Sequence, residues 1–301
     1  MSETSEPEAN SKREKLPAGL YLVATPIGNL SDISLRALEV LKSADLVACE
    51  DTRVTRKLLT HFGIATAGRL RVYNDYSSDR DRNQIVNACS GGKAVALVSD
   101  AGMPLLSDPG YPLVRACQAD GVPVTSVPGA SAPLAALQLS GLPSMPFYFG
   151  GFLSAKSASR RQEIARLTAI PATLLLFEAP HRLADCLRDL AQVLGSRQAA
   201  VVREITKRFE EVITDSLDGL AARIAEQAVK GEIVIVIAPP ERQDGPIDDD
   251  ELKARLTEAL ERQSLRDAVA LVAAASGEPR RRVYRLALDL TAAAGKSDGS
   301  D

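Results

Sequence analysis

The chain has 301 residues, 45% of them hydrophobic and 25% charged, a balance that excludes a disordered or fibrous protein. Its length suits two α/β domains of ordinary size with an appendage, rather than one small core. The 36 Lys and Arg residues against 39 Asp and Glu residues give a net charge of −3. A surface that is basic as a whole is therefore excluded, and any contact with nucleic acid must use a local patch.

The sequence predicts a cytoplasmic protein without a membrane span or a metal site. Residues 1–15 are polar and are expected to form a disordered leader, not a secretory signal. The longest apolar run, residues 268–275, is far too short to cross a membrane. The four cysteines lie far apart in apolar or helical contexts, which predicts buried thiols, and two histidines are too few for a histidine-built metal site.

Residues 16–130 are predicted to form an N-terminal domain in which short β-branched runs alternate with helical stretches. Strands are predicted at residues 20–24, 46–49, 70–73, 94–99 and 122–127, with helices such as 34–42 and 79–89 between them. Because these strands are almost continuously apolar, they predict a parallel sheet that is covered by helices on both faces.

Residues 131–240 are predicted to form a second α/β domain. Its strands are expected near residues 147–149, 173–177, 199–203, 211–214 and 232–238, and its helices near 157–167, 182–194 and 217–230. Residues 204–211 leave no room for a crossover helix, so two of these strands are expected to pair antiparallel in a mixed sheet.

The C-terminal part of the chain is predicted to be a small helical extension. Residues 241–247 are rich in polar residues, Gly and Pro and are interpreted as a linker. The tail, residues 248–295, is expected to contain three short helices at residues 248–262, 265–276 and 280–290.

Three loops that follow predicted strands of the first sheet are candidates for ligand binding, because open parallel sheets bind ligands at the carboxyl ends of their strands. They are residues 25–30, residues 99–110 and residues 128–132. Their Gly, Pro, Ala and Ser residues favour a fixed backbone that a ligand can approach closely. Each loop also has a structural interpretation as a turn or as close helix–strand packing, but Asp100, at a strand end, lacks such an explanation.

Three polar clusters follow other predicted strands, and together they favour a polar cleft. They are Glu50-Asp51-Thr52-Arg53, Glu178-Ala179-Pro180-His181-Arg182 and Arg203-Glu204-Ile205-Thr206-Lys207. Each cluster has a structural alternative, in which Asp51 or Thr52 caps a helix, Arg182 lies on a helix surface and Glu204 pairs with Lys207.

With these residues assembled, the sequence resembles the tetrapyrrole methylase superfamily, and within it the family of ribosomal small subunit methyltransferase I. The resemblance extends from about residue 19 to about residue 290. Residues 24–30, 49–53 and 99–110 carry it most specifically. One departure is the stretch Pro128-Gly129-Ala130-Ser131-Ala132, in which Ala130 stands where the family pattern has Pro.

The resemblance implies an α/β fold of two domains, a parallel N-terminal αβα sheet and a mixed C-terminal sheet, followed by the helical tail. It also implies a homodimer that binds S-adenosylmethionine between the domains. The activity that it implies is methylation of the ribose 2′-hydroxyl of a cytidine in the decoding region of 16S rRNA, in the small ribosomal subunit. Two alternatives remain open: a C-methyltransferase of tetrapyrrole or corrinoid precursors, and a ribosome-assembly module that binds S-adenosylmethionine without turnover.

The loops and clusters supply the site residues that this resemblance implies. The residues expected to bind the methyl donor are Pro26, Gly28, Ser99, Asp100, Ala101, Gly102, Pro104, Pro128, Gly129, Ala130 and Ser131. The candidates for the general base are Glu178, Asp51 and His181, with Glu50 as a further possibility. The residues expected to contact RNA are Arg53, Arg182 and Lys207, together with Arg280, Arg281 and Arg282 of the tail.

Overall fold

The computed structural model describes residues 15–106, 110–226, 229–240, 248–261 and 263–297. It divides into two compact units, Met1–Pro240 and Glu241–Asp301, which are treated separately. The predicted leader, apart from Lys15, and the predicted linker at residues 241–247 lie outside the described residues. The same holds for residues 107–109 of the second candidate loop.

The first sheet is parallel throughout, as the apolar strands predicted. Its strands are β1 (Gly19–Val23), β2 (Leu46–Cys49), β3 (Leu70–Val72), β4 (Ala94–Val98) and β5 (Val124–Val127), in the order β3-β2-β4-β1-β5. The helices that follow these strands are α1 (Leu35–Ser43), α2 (Thr52–His61), α3 (Asp79–Ser90), α4 (Tyr111–Ala119) and α5 (Ala132–Leu139).

Strand β4 shows why this sheet is covered on both faces. Successive side chains of a strand point to opposite faces, and all five residues of β4 are buried. Ala94, Ala96 and Val98 belong to a core cluster with residues of α1 and α2, whereas Val95 and Leu97 pack in another cluster with residues of α3 and α4. The predicted αβα arrangement is therefore confirmed.

The second sheet is mixed, as the short connection at residues 204–211 predicted. Its strands are β6 (Phe147–Phe152), β7 (Thr173–Glu178), β8 (Gln198–Arg203), β9 (Glu211–Ser216) and β10 (Ile233–Ile237), in the order β6-β7-β10-β8-β9. Strands β6 and β7 are parallel, and the remaining neighbours are antiparallel.

The two faces of the second sheet pack against different partners. One face forms a large core with α6 (Ser157–Leu167), α7 (Leu183–Leu194) and α8 (Leu217–Ala225). The other face, which includes Leu175, Val202 and Val234, packs against α5 and against Ile27 from the loop after β1. This second contact brings the end of β1 next to the second sheet.

The tail contains three helices, as predicted, namely α9 (Asp249–Leu260), α10 (Leu265–Ser276) and α11 (Arg280–Ser297). They share a small core that includes Leu252, Leu256, Val269 and Val283. Helix α11 extends beyond the predicted end at residue 290, because residues 292–294 are alanines, which favour helix strongly.

Two further expectations from the sequence concern the state of the cysteines and the presence of membrane-spanning helices. All four cysteines are buried free thiols, as predicted. None of the described helices combines the length and the apolar character needed to cross a bilayer.

Candidate active site

The loop after β1 and the loop after β4 are joined through their backbones. The Thr25 amide donates to the Gly102 carbonyl at 2.9 Å, and the Gly102 amide donates to the Thr25 carbonyl at 3.1 Å. The Thr25 hydroxyl donates to the Ser99 carbonyl at 3.2 Å, and the Ser99 hydroxyl donates to the Gly102 carbonyl at 3.0 Å. These bonds hold the two loops in one defined arrangement relative to each other.

Glycines in these loops allow segments of the protein itself to approach closely. A Cβ atom at Gly28 would lie 2.6 Å from Cγ of Lys207 and 2.9 Å from the Ile205 carbonyl oxygen. A Cβ atom at Gly129 would lie 2.9 Å from Cβ of Ala24, and Gly102 has a φ of +84°. Close packing against neighbouring segments explains the glycines at positions 28 and 129, and the left-handed φ explains the glycine at position 102.

A cleft of about 360 Å³ lies where these loops face the second sheet. Ile27, Asp100, Ala101 and Ala132 line it from the first-sheet side. The second-sheet side is lined by Phe152, Phe177, Glu178, Ala179, Pro180, Ile205, Gly231, Glu232, Ile233 and Val234. Of the residues expected to bind the methyl donor, Asp100 and Ala101 thus line the cleft, as does the base candidate Glu178.

The residues expected at the donor site that do not line this cleft lie in the loops around it. Ser99, Gly102, Pro104 and Pro26 are buried, whereas Gly28, Pro128 and Gly129 are exposed. Ala130 and Ser131 are half-buried just before α5. The cleft residues Phe152, Gly231 and Val234 were not predicted, because nothing local in the sequence indicates that the end of β6 and the start of β10 lie at the same edge of the second sheet.

Asp51 and Asp100 are connected at the carboxyl ends of β2 and β4. The Asp51 amide donates to Oδ1 of Asp100 at 3.1 Å. The Asp51 carboxylate accepts the Arg53 amide at 2.7 Å as the N-cap of α2, and it also binds the Arg53 guanidinium at 2.6 Å. Hydrogen bonds from Arg53 lower the pKa of Asp51 to about 2. The capping role weighed in the sequence analysis is therefore confirmed, and this carboxylate is a weak base.

Two neighbouring carboxyl groups have the opposite shift. Burial raises the pKa of Asp100, and the negative charge of Asp51 adds to this rise, while the hydrogen bond from the Asp51 amide opposes it. Burial also raises the pKa of Glu50, and the carboxylates of Asp100, Asp75 and Asp51 raise it further. Asp100 is thus a carboxyl group with raised basicity in the wall of the cleft.

Glu178 and Arg182 form an ion pair at the end of β7. The Glu178 side chain is fully buried; its Oε1 accepts the Ala179 amide at 2.7 Å, and its Oε2 accepts a guanidinium N–H of Arg182 at 3.2 Å. Arg182 also donates to the Leu153 carbonyl at 2.7 Å. These contacts favour a structural role for both residues. His181, the third base candidate, is exposed and is not among the described residues that line the cleft.

The loop between β8 and β9 is held next to the loop after β1. Glu204 and Thr206 have φ values of +51° and +65°, a conformation that is strained for residues with a side chain. The Asn29 amide donates to the Thr206 hydroxyl at 3.0 Å. Nζ of Lys207 binds Oε1 of Glu204 at 2.9 Å and Oε2 of Glu232 at 3.1 Å. Lys207, expected to contact RNA, is therefore already paired with two carboxylates.

The electrostatics of this loop follow from the same pairing. Burial works to lower the pKa of Lys207, but the hydrogen bonds to Glu204 and Glu232 outweigh it, so that the pKa is raised overall. The hydrogen bond from Lys207 correspondingly lowers the pKa of Glu204. Both groups are therefore charged over the whole neutral range.

The three arginines expected to bind RNA in the tail differ in their surroundings. Arg282 pairs with Asp249 and with Glu278, each at 2.8 Å. Arg280 and Arg281 are exposed at the start of α11, after a turn in which Gly277 has a φ of +72°. Across the part of the chain that the structure describes, no group of three or more His, Cys, Asp or Glu side chains could hold a metal ion.

Two family models match the chain. The model of the Tetrapyrrole (Corrin/Porphyrin) Methylases matches residues 19–221, which include both sheets apart from β10. The model described as the RsmI C-terminal HTH domain matches residues 246–291, which correspond to the helical tail. Its description as a helix-turn-helix domain fits α10 and α11, which are joined by the short turn at Gly277.

Two relatives are similar to this chain over almost its whole length. A Ribosomal RNA small subunit methyltransferase I of Mesorhizobium japonicum is 46% identical over 287 residues, which cover 94% of this chain and 96% of that protein. The Escherichia coli O157:H7 protein of the same name is 41% identical over 273 residues, covering 90% and 94%.

Among solved structures, a diphthine synthase superimposes with a TM-score of 0.57 at 21% identity, covering 73% of this chain and 89% of that one. A uroporphyrin-III C-methyl transferase of Thermus thermophilus, complexed with S-adenyl homocysteine, gives 0.51 at 20% identity, covering 73% and 97%. These two likenesses support the fold alone. Taken with the matches in sequence, they lead to one conclusion: the chain belongs to the tetrapyrrole methylases and, among them, to the ribosomal RNA small subunit methyltransferase I family.

Proposed function

We propose that this protein transfers the methyl group of S-adenosylmethionine to the ribose 2′-hydroxyl of a cytidine in the decoding region of 16S rRNA. In this proposal it acts as a cytoplasmic homodimer on the small ribosomal subunit. The observation that carries it is the identity of 41% to 46%, over 90% or more of the chain, to relatives that are named for the RNA of that subunit.

The helical tail favours RNA over a tetrapyrrole as the substrate. The T. thermophilus uroporphyrin-III C-methyl transferase is covered over 97% of its own length, yet it accounts for only 73% of this chain. A tetrapyrrole enzyme thus lacks a counterpart to about a quarter of this protein. The tail matches instead a domain described as helix-turn-helix, a motif that is used to bind nucleic acid.

The cleft has a size and a chemistry that fit the methyl donor. Its volume of about 360 Å³ lies within the range of about 300–1,000 Å³ that is usual for small-molecule sites. Ile27, Ile205 and Val234 supply apolar walls for a flat ring, and the Asp100 carboxylate suits a cationic group. The donor supplies a methyl group that is already activated by the sulfonium charge. The protein therefore has to position the ribose oxygen and accept its proton.

Asp100 is the residue that we assign to accept this proton. It lines the cleft, and burial raises its pKa, so that its carboxylate is a better base than an exposed aspartate. Asp51 and Glu178 are less suitable, because the pKa of Asp51 is lowered to about 2 and the Glu178 carboxylate is fully buried in its pair with Arg182. Glu50 and His181 are not among the described residues that line the cleft. Asp100 was expected to bind the donor, and this proposal gives it the role of the base instead.

The proposal is tested by label transfer from tritiated S-adenosylmethionine. Small ribosomal subunits and naked rRNA, both from a strain that lacks this gene, are compared with a uroporphyrinogen substrate. Label at one ribose of the subunit rRNA, mapped by resistance of the adjacent phosphodiester to alkaline hydrolysis, supports the proposal. Label in the tetrapyrrole supports the C-methyltransferase. Tight donor binding without any label supports the assembly module.

A further inference from the structure

One stretch of the first domain concentrates positive charge in a chain whose net charge is −3. Residues 52–73 contain no Asp or Glu, and their basic residues are Arg53, Arg56, Lys57, Arg69 and Arg71. This stretch begins with α2 and ends with β3, which packs next to α2. In a chain without a basic surface as a whole, contact with nucleic acid needs a local basic patch, and of these five residues only Arg53 was predicted to contact RNA.

The charges of α2 lie on a single face of the helix. Arg53, Arg56, Lys57, Thr60 and His61 follow the spacing i, i+3, i+4, i+7 and i+8, which places side chains on one side of a helix. All five are exposed, whereas the opposite side is anchored in the protein by the buried Thr55 and Leu59. We call this exposed face the α2 basic face.

Most of this charge is not neutralised by the protein. Arg53 pairs with Asp51, but no ion pair joins Arg56 or Lys57 to any described carboxylate. On the neighbouring strand, Arg71 donates to the carbonyls of Gly68 and Leu70, so its charge also remains. Thr52, Arg53, Arg56, Lys57, Thr60 and His61 are the described residues that line a shallow groove of about 670 Å³.

The α2 basic face starts at the edge of the sheet where the cleft lies. The helix begins directly after Asp51, whose amide donates to Asp100 in the wall of the cleft. Its ten residues give it a length of about 15 Å at about 1.5 Å per residue. A helix face of this length is long enough to contact more than one phosphate of an RNA strand.

We propose that the α2 basic face binds the phosphate backbone of the RNA next to the nucleotide that reacts in the cleft. This inference rests on the proposed function, because it takes its polyanion from the proposed substrate. Arg56 and Lys57 supply two unpaired cations for phosphates, and the Thr52 and Thr60 hydroxyls can donate to phosphate oxygens. Contacts of this kind fix the register of the RNA and carry no sequence information.

The test is the salt dependence of binding to small ribosomal subunits from the strain that lacks this gene. The variant R56A/K57A removes two phosphate contacts without touching Asp51 or Asp100, and alanine preserves the helix. The slope of log K against log salt should fall by about 1.4 to 1.8, since each contact contributes about 0.7 to 0.9. Calorimetric affinity for S-adenosylmethionine should equal that of the parent.

The matched control is R166A/R223A, which removes the same charge from exposed positions of α6 and α8 on the second sheet. It should keep the parental slope. Equal slopes for R56A/K57A and the parent, or an equal loss in the control, would overturn the proposal. If the parent itself fails to methylate subunits, the proposed function fails; if the parent methylates them and R56A/K57A binds as the parent does, only the role of the α2 basic face fails.

Discussion

The substitution Gly28→Ala tests whether packing between loops sets the shape of the cleft. The φ of Gly28 lies outside the left-handed region, so alanine brings a steric effect and no backbone strain. Its Cβ would lie 2.6 Å from Cγ of Lys207, 2.7 Å from the Thr206 hydroxyl oxygen and 2.9 Å from the Ile205 carbonyl oxygen. The Lys207 stem can rotate away, but the backbone carbonyl cannot, so the two loops must move apart.

We expect this separation of the loops to lower both the stability of the protein and its affinity for the methyl donor. Overpacking of this kind costs about 1–3 kcal/mol, which for a chain of this size lowers the melting temperature by about 2–4 °C for each kcal/mol. The bond from the Asn29 amide to the Thr206 hydroxyl is lost as well. Because Ile27 and Ile205 line opposite walls of the cleft, we expect donor affinity to fall on the order of tenfold, or about 1.4 kcal/mol.

Titration calorimetry with S-adenosylmethionine and thermal unfolding measure the two effects. Gly63→Ala is the matched control, since Gly63 has a φ of +65° and nothing lies within 4 Å of its Cβ position. It should cost about 1–2 kcal/mol through backbone strain alone, at the end of α2 away from the cleft. Suppose that Gly28→Ala loses stability as the control does but binds the donor with the affinity of the parent. Then packing between these loops does not set the shape of the cleft.

Three further predictions concern the base, a buried ion pair and the tail. Asp100→Asn should slow single-turnover methylation by about 10²–10⁴-fold, and the parental rate should fall as pH drops through the raised pKa of Asp100; a loss confined to donor affinity would make Asp100 a binding residue instead. Asp189→Ala should destabilise the protein by about 3–5 kcal/mol in urea unfolding, because it leaves the Arg160 guanidinium, 4% exposed, without its carboxylate; a cost below about 1 kcal/mol would contradict this. Truncation after Gly245 should preserve donor binding but reduce rRNA methylation and the salt dependence of subunit binding, and methylation at the parental rate would show that the tail is structural.

Local sequence patterns predicted the elements of this fold well. The apolar runs of β2 and α10 were predicted with the bounds that the structure has, and the strand ends elsewhere differ by a few residues. The mixed second sheet followed from the short connection at residues 204–211, which holds no helix. The order of its strands did not follow, because the position of β10 between β7 and β8 depends on packing between distant parts of the chain.

The sequence predicted which loops form the candidate site, but it did not predict which residues of different loops contact each other. Sequence placed Gly28 and Lys207 in separate motifs, and nothing local indicated that their atoms meet. In the same way, Arg182 was expected to hold a phosphate, but it is bound by Glu178 and by the carbonyl of Leu153, 29 residues away. The positions of charged residues in the sequence thus indicated where polar groups cluster. They did not indicate which of these charges are paired with other groups of the protein.

The strand order of the first sheet has a consequence for how the protein is made. Among the described strands, β1 is hydrogen-bonded to β4 and β5 alone, with Gly19 opposite Ala94. A ribosome that adds about 5–20 residues per second needs about 5–20 s to extend the chain from β1 to the end of β5. Throughout this interval the apolar segment Gly-Leu-Tyr-Leu-Val of β1 lacks one or both partner strands. Until Val127 has been added, the contacts available to β1 are therefore those with earlier parts of the domain, such as Ala37 and Leu41 of α1, which share a core cluster with Tyr21 and Val23.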